Sequence, residues 1–209
     1  MVWGGWEGHE PRACAELFAP FLEASGYRVK ISHTLESYLD GKSMRDASLI
    51  VHCWTGGEIL PEQLEGLSTA VKAGTGLAGW HGGFVDSFRD SPDYHFMIGG
   101  QWVASPSGVT DYEVRIADRN DPITRGIDDF MVQTEQYYMQ VDPSNHVLAT
   151  TTFAVENGSP AAGVVMPVAW KRSWGLGRVF FSALGHKVVD FDVPATREIM
   201  QRGLLWAGG

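Results

Sequence analysis

With 209 residues, 44% of them apolar and 20% charged, the chain is long enough for one sizeable core and reads as a single globular domain over 1–209. A net charge of −9, with no basic run beyond Lys171-Arg172, argues against nucleic acid as a partner. No apolar stretch approaches the roughly 18 residues of a membrane span, and Cys14 and Cys53 give neither a disulfide framework nor a metal spacing, so a reducing cytoplasm is the expected setting.

Met1-Val2-Trp3 reads as a short strand, followed by the loop Gly4-Gly5-Trp6-Glu7-Gly8-His9-Glu10. Strands usually have about five residues, so further residues are expected upstream. Pro11 suits a first helical turn, where its missing N–H has no intrahelical partner to lose. Cys14, Leu17, Phe18, Phe21 and Leu22 then recur at helical spacing up to Gly26, while Pro20 predicts a kink or an early stop. Tyr27 to Ile31 alternates and reads as a strand. Thr34 is placed to cap a short helix through Leu39, ended by Gly41. Ala47 to Cys53 is a nearly continuous apolar run, the mark of a strand covered on both faces, with Trp54 to Glu58 as its exit loop. Pro61 opens a helix to Ala73, which Gly74 stops, and Thr75 to Trp80 is the next strand.

That strand runs into Gly79-Trp80-His81-Gly82-Gly83. The pattern has the form of a nucleophile elbow, in which small residues two positions to either side relieve crowding around a residue lifted onto a sharp strand-to-helix turn. Here the lifted residue is His81. An imidazole there points to a base, an acid, a hydrogen-bond donor or a metal ligand; the alternative is a Gly-rich turn that happens to contain a histidine.

From Ser91 the pattern changes. Ser91-Pro92-Asp93 starts a helix ended by Gly99-Gly100, and Val109 to Ala117 alternates as a strand. Phe130 to Val141 and His146 to Phe153 read as strands, and Val164 to Trp170 with Val179 to Leu184 reads as a hairpin around Trp174–Gly177. Pro194 opens a final amphipathic helix. The first half alternates strand and helix, which predicts an α/β fold with a mainly parallel central sheet and right-handed crossovers. The later strands predict an antiparallel insertion packed on that core. Ligands in open sheets of this kind sit beyond the carboxyl ends of the strands. The loops 4–10, 54–60 and 81–87 therefore open on one edge and bring His9 to His81.

Gly4-Gly5-Trp6-Glu7-Gly8-His9, Gly79-Trp80-His81-Gly82-Gly83, Tyr94-His95-Phe96-Met97-Ile98-Gly99-Gly100, Glu135-Gln136-Tyr137-Tyr138, Pro167-Val168-Ala169-Trp170, Gly177-Arg178-Val179-Phe180 and Leu184-Gly185-His186 stand in this order along the chain. Together they resemble the ThuA-like (trehalose-utilisation) family. The resemblance implies a flavodoxin-like three-layer sandwich of the class I glutamine amidotransferase-like superfamily. Glutaminases of that superfamily carry a nucleophilic cysteine at the elbow. Here His81 stands there and Cys53 ends a different strand, so the fold carries over and the thioester chemistry does not. The resemblance also implies a place in disaccharide catabolism, with trehalose, sucrose or related sugars, often oxidised to 3-keto forms. Some relatives carry a histidine where this chain has Ser105, which removes one ligand from any metal site drawing on that position.

The site residues expected from these considerations are His81, Glu135, His186 and His9 as acid–base groups. Trp6, Trp80, Tyr137, Gly82 and Gly83 are expected to bind the substrate. The first reading is an enzyme acting on a small-molecule sugar, with His81 as base and Glu135 as its partner. The second is a metal-dependent version in which His9, His81 and His186 hold a divalent ion such as Zn²⁺. The third is a non-catalytic sugar-binding or regulatory module on a glutaminase-like scaffold. His33, His52, His95 and His146 are read as structural, with His95 near enough to the elbow to support it. Arg178 is expected to tie the hairpin to an acidic neighbour, and Asp111 and Asp190 are pocket residues without an assigned role. The antiparallel insertion offers a surface for a homo-oligomer.

Overall fold

A computed structural model of the chain describes residues 1–154 and 160–209. Its strands are β1 (Val2–Gly5), β2 (Leu49–Thr55), β3 (Gly76–Trp80), β4 (Gly100–Ala104), β5 (Val109–Ile116), β6 (Phe130–Glu135), β7 (Tyr138–Val141), β8 (His146–Thr152), β9 (Val165–Trp174) and β10 (Gly177–Ser182). Its α-helices are α1 (Pro11–Ala24), α2 (Gly41–Asp46), α3 (Pro61–Ala73), α4 (Gly82–Val85), α5 (Pro92–Ile98) and α6 (Pro194–Gly208). Proline at the first turn opens α1, α3, α5 and α6, where it sacrifices no helical hydrogen bond.

The strands form one mixed sheet in the order β1-β2-β3-β10-β9-β8-β5-β6, with β4 and β7 as a separate antiparallel pair. The pairs β1–β2, β2–β3 and β3–β10 are parallel, and the remaining neighbours are antiparallel. The antiparallel strands thus extend the parallel sheet edge to edge; they do not form a layer packed on it, and only β4–β7 stands apart. Helices α1 and α6 cover one face: Phe18 of α1 lies 5.2 Å from Trp80 between ring centroids, and a Cβ on Gly203 of α6 would meet the ring of Phe180 at 2.1 Å. On the other face Phe84 of α4 stacks on Phe181 at 5.8 Å, and Tyr94 of α5 packs beside Phe84. This is the three-layer sandwich. No helix among the described residues is long and apolar enough to cross a membrane.

Several local expectations are corrected. Helix α1 runs past Pro20 to Ala24. Pro20 and Glu16, the residue whose carbonyl loses its partner, both lie on the solvent side, where water can take up the lost hydrogen bond. Tyr27 to Ile31 forms no strand; only Ser32 bridges to Val2 of β1. Gly41 begins α2 instead of ending the preceding 3₁₀ turn, because the Asp40 carboxylate accepts from the Ser43 N–H and caps a new helix. Strand β2 continues through Trp54 and Thr55. The stretch from Phe130 to Val141 breaks after Glu135: Gln136 turns inward to donate to Thr151, and Tyr137 turns toward His81.

Candidate functional site

The site begins with the turn after β3. His81 has φ 47° and ψ −146°, a left-handed conformation that a side chain other than glycine rarely adopts. The surroundings hold it there. Its N–H donates to the Ser182 carbonyl of β10 at 2.7 Å, and its own carbonyl accepts from Phe84 and Val85 at 3.1 and 3.2 Å. The flanking glycines are required by space. A Cβ on Gly79 would lie 2.2 Å from the Phe84 ring and 2.5 Å from the His52 carbonyl, and one on Gly83 would meet the Cys53 sulfur at 3.0 Å. A Cβ on Gly82 would lie 2.4 Å from the His9 ring. Glycine there lets His9 approach the elbow.

Three further segments reach the same edge. His9 comes from the loop after β1, where it shares a 2.8 Å hydrogen bond through Nδ1 with Thr55 Oγ1 at the end of β2. His186 follows β10; its N–H donates to Asp190 Oδ2, the oxygen that also accepts from Thr134 Oγ1. Glu135 ends β6, the far edge of the sheet. Strand β5 meets β8 only through Arg115 and Ile116, so the β5–β6 ribbon can bend back over the core. The Thr134–Asp190 bond ties that ribbon to the His186 loop. Tyr112 then donates to the Glu135 carbonyl at 3.2 Å.

The result is a hollow floored by imidazoles. Ring centroids lie 4.7 Å apart for His9 and His81, and 5.1 Å apart for His186 with either of them. Glu135 Oε2 is 3.5 Å from His81 Nε2 and 3.4 Å from His186 Nδ1. His81 Nδ1 shares a 2.9 Å hydrogen bond with the Tyr137 hydroxyl. His81 is fully buried, and burial, reinforced by His9 and His186, pushes its pKa well below the ordinary imidazole value. Burial also brings His9 down to about 4. The adjacent His186 holds the Glu135 carboxyl below its usual range, so it is ionised at neutral pH.

The nitrogens and oxygen that His9, His81, His186 and Glu135 offer lie within 4.8 Å of one another, a geometry able to hold a metal ion. Asp118, Asp121 and His146 form a second close group. Their oxygens are already engaged: Asp118 accepts from Asn120 and pairs with His146, and Asp121 accepts from Ile123 and pairs with Lys171. A cleft of about 690 Å³ lies at the other end of the parallel strands, near Val2 and Leu49, and contains none of the four hollow residues.

Of the expected substrate contacts, Trp6 is 58% exposed and stands edge-on to His9 at 4.7 Å, and Tyr137 lies in the hollow. Trp80 does not wall it. Its side chain alternates to the α1 face, where it is 1% exposed between Phe18 and Phe191. Gly83 faces Cys53 of β2 and is a packing residue. His95 bonds the Gly100 carbonyl and His146 pairs with Asp118. Arg178 donates to the Trp206 carbonyl and lies over that indole, with no carboxylate as partner among the described residues. Asp111 is exposed on β5, and Asp190 acquires a role in holding the His186 loop. Sequence reasoning missed Thr55 as the partner of His9. Its place at a strand end on the shared edge was the available signal.

The family model described as trehalose utilisation (ThuA) matches residues 1–207. Nothing among curated proteins matches the sequence. Among solved structures, a ThuA-like protein from Bacteroides uniformis ATCC 8492 superposes with a TM-score of 0.81 at 15% identity, over 99% of this chain and 89% of that one. A ThuA-like protein from Parabacteroides merdae ATCC 43184 gives 0.77 at 17% identity, over 99% and 88%. A cytoplasmic protein from Salmonella typhimurium gives 0.62 at 12% identity, over 92% and 86%. At such identities the likeness concerns the fold alone.

Proposed function

Because the chain belongs to the ThuA, or trehalose-utilisation, family, a membership that supports a role in sugar utilisation, we propose that it is an enzyme acting on an oxidised, keto-form sugar by proton transfer beside the carbonyl. The observation that carries this reading is the convergence of His9, His81, Glu135 and His186, from four separate segments, within 4.8 Å. Buried ionisable groups gathered this way are costly to a fold and concentrate where chemistry is done.

The environments divide the labour. Glu135 is ionised and its side chain keeps 24% of its exposure, so it can meet a substrate C–H and take the proton. Burial holds the His81 pKa well below the ordinary imidazole value, so it is neutral and a weakened base; this favours Glu135 as the base over His81, where the sequence placed it. A neutral imidazole suits the carbonyl oxygen instead. A carboxylate base with a neutral imidazole as electrophile is a recurrent solution to proton abstraction next to a carbonyl. Trp6 offers an exposed indole face at the rim, suited to the C–H face of a sugar ring. The buried, unpaired thiols of Cys14 and Cys53 fit a cytoplasmic setting.

The test is a panel of 3-keto and plain disaccharides followed by NMR. Conversion of a keto sugar is expected, with Glu135→Gln and His81→Gln each lowering turnover about 10²–10⁴-fold while the dissociation constant changes little. Binding without conversion by the unmodified protein would make it a binding module. Turnover undiminished in both variants would end the proposal.

A further inference from the structure

We infer that the hollow is a metal site in which His9, His81, His186 and Glu135 hold one divalent transition ion of the Zn²⁺ class. The inference deepens the proposed reading: with His81 Nε2 ligating, the ion would take over the polarising of the carbonyl that the reading gives to the neutral imidazole, and the inference rests on that reading only for this consequence, not for its evidence.

Two buried nitrogens in one place need a partner. His81 Nε2 and His186 Nδ1 are buried, and neither makes a hydrogen bond among the described residues. An orphaned buried polar atom costs about 1–3 kcal/mol, so two facing the same carboxylate oxygen call for an occupant. The spacing fits a cation. Glu135 Oε2 stands 3.5 and 3.4 Å from the two nitrogens, with both approaches too long for strong hydrogen bonds. A separation near 3.4 Å is the edge of a tetrahedron whose centre lies roughly 2.1 Å from each corner, the length of a Zn–N or Zn–O bond.

The outer sides of the rings are already fixed. His9 Nδ1 is engaged by Thr55 at 2.8 Å, which leaves Nε2 for the ion, and His81 Nδ1 is engaged by Tyr137 at 2.9 Å. Such outer hydrogen bonds set the tautomer and aim of ligating histidines. The rings meet edge to face, at 88°, 79° and 63°, as rings pointing at a common centre do and stacked rings do not. Three imidazoles and a carboxylate favour Zn²⁺, Fe²⁺ or Ni²⁺ over the all-oxygen preference of Ca²⁺ and Mg²⁺. The four ligands share no short sequence spacing because four separate turns deliver them. When bound, such an ion polarises a carbonyl oxygen, and the second oxygen of Glu135 remains to take the proton.

The test uses untagged full-length protein, stripped with a chelator, titrated with Zn²⁺ by calorimetry and assayed for bound metal by mass spectrometry. About one equivalent is expected, with a rise in melting temperature. Thr55→Val and Tyr137→Phe should weaken Zn²⁺ binding about 10–100-fold, and His81→Gln and His186→Gln more. These last two should also abolish the visible absorption of the Co²⁺-substituted protein. His146→Gln, in the second close group, should bind normally. If a ligand variant fails to fold by circular dichroism, Thr55→Val and Tyr137→Phe decide the matter. Binding well below one equivalent, or loss of the ion in His146→Gln alone, would overturn the inference. Keto-sugar turnover that survives complete chelation removes the ion and leaves the proposed function; stoichiometric Zn²⁺ with no sugar conversion does the reverse.

Discussion

His52 lies in β2 and His81 in the turn just past the neighbouring β3, and both rings are fully buried. Burial depresses the pKa of each, His52 to about 3 and His81 well below its ordinary value. By burial and titration the two are alike. They differ in their partners. His52 bonds the Tyr38 hydroxyl through Nδ1 at 2.5 Å and Ser87 Oγ through Nε2 at 3.2 Å, inside a cage of Phe84, Phe88 and Tyr94. His81 has one nitrogen bonded, the other without a partner among the described residues, and a backbone in a strained conformation. A buried histidine with both nitrogens satisfied is a structural part. One held under strain with a nitrogen left over is kept for something else.

Exchanging the roles of these residues tests the contrast, and the largest effect is expected at the elbow. His81→Gln should lose about 10²–10⁴-fold in turnover with little change in the melting temperature of the chelator-stripped protein, whereas His52→Gln should keep turnover per folded molecule. A matching loss of activity in both would erase the distinction. Next, His52→Leu strands the Tyr38 hydroxyl and removes a partner of Ser87, and should cost about 1–3 kcal/mol in denaturant unfolding. Smaller again, taken per pH unit, is the acid slope. The folded pKa of His52, about 3, lies below the unfolded value of 6.5, so the unfolded chain binds more protons between them. Stability from His52 is complete above the unfolded value and falls as pH drops toward the folded one, by up to about 1.4 kcal/mol per unit. His52→Leu should flatten that slope in unfolding curves taken across the window. Last, Ser87→Ala leaves His52 Nε2 in the condition of His81 Nε2 and should cost about 1 kcal/mol, without creating any binding of Zn²⁺.

The parallel half was legible because its signals are local. Proline starts, glycine stops and an apolar run bounded α3 correctly, placed β3 to within one residue and β2 to within two, and Gly79, His81 and Gly83 marked the elbow. The shared carboxyl edge then paired His9 with His81 from topology alone. What was not legible depends on contacts distant in sequence. Trp80 and His81 are adjacent in the chain, yet alternation sends the indole into the core and the turn sends the imidazole into the hollow. Glu135 belongs to an edge strand that reaches the site only because its ribbon bends, pinned by Thr134 and Asp190. No periodicity in residues 130–141 announces that bend.

The elbow strand is flanked on one side by a late arrival. Leu77 pairs with Val179, and the clamp on the His81 amide comes from Ser182, so everything between them must be synthesised before that flank is covered. Pairing over such a separation is slow, and an unpaired strand edge is prone to aggregate while it waits. On the ribosome, the strand at the centre of the sheet is the last of the described strands to emerge. A chain cut short before Gly177 would carry the whole elbow sequence and none of the strand that holds the elbow shut.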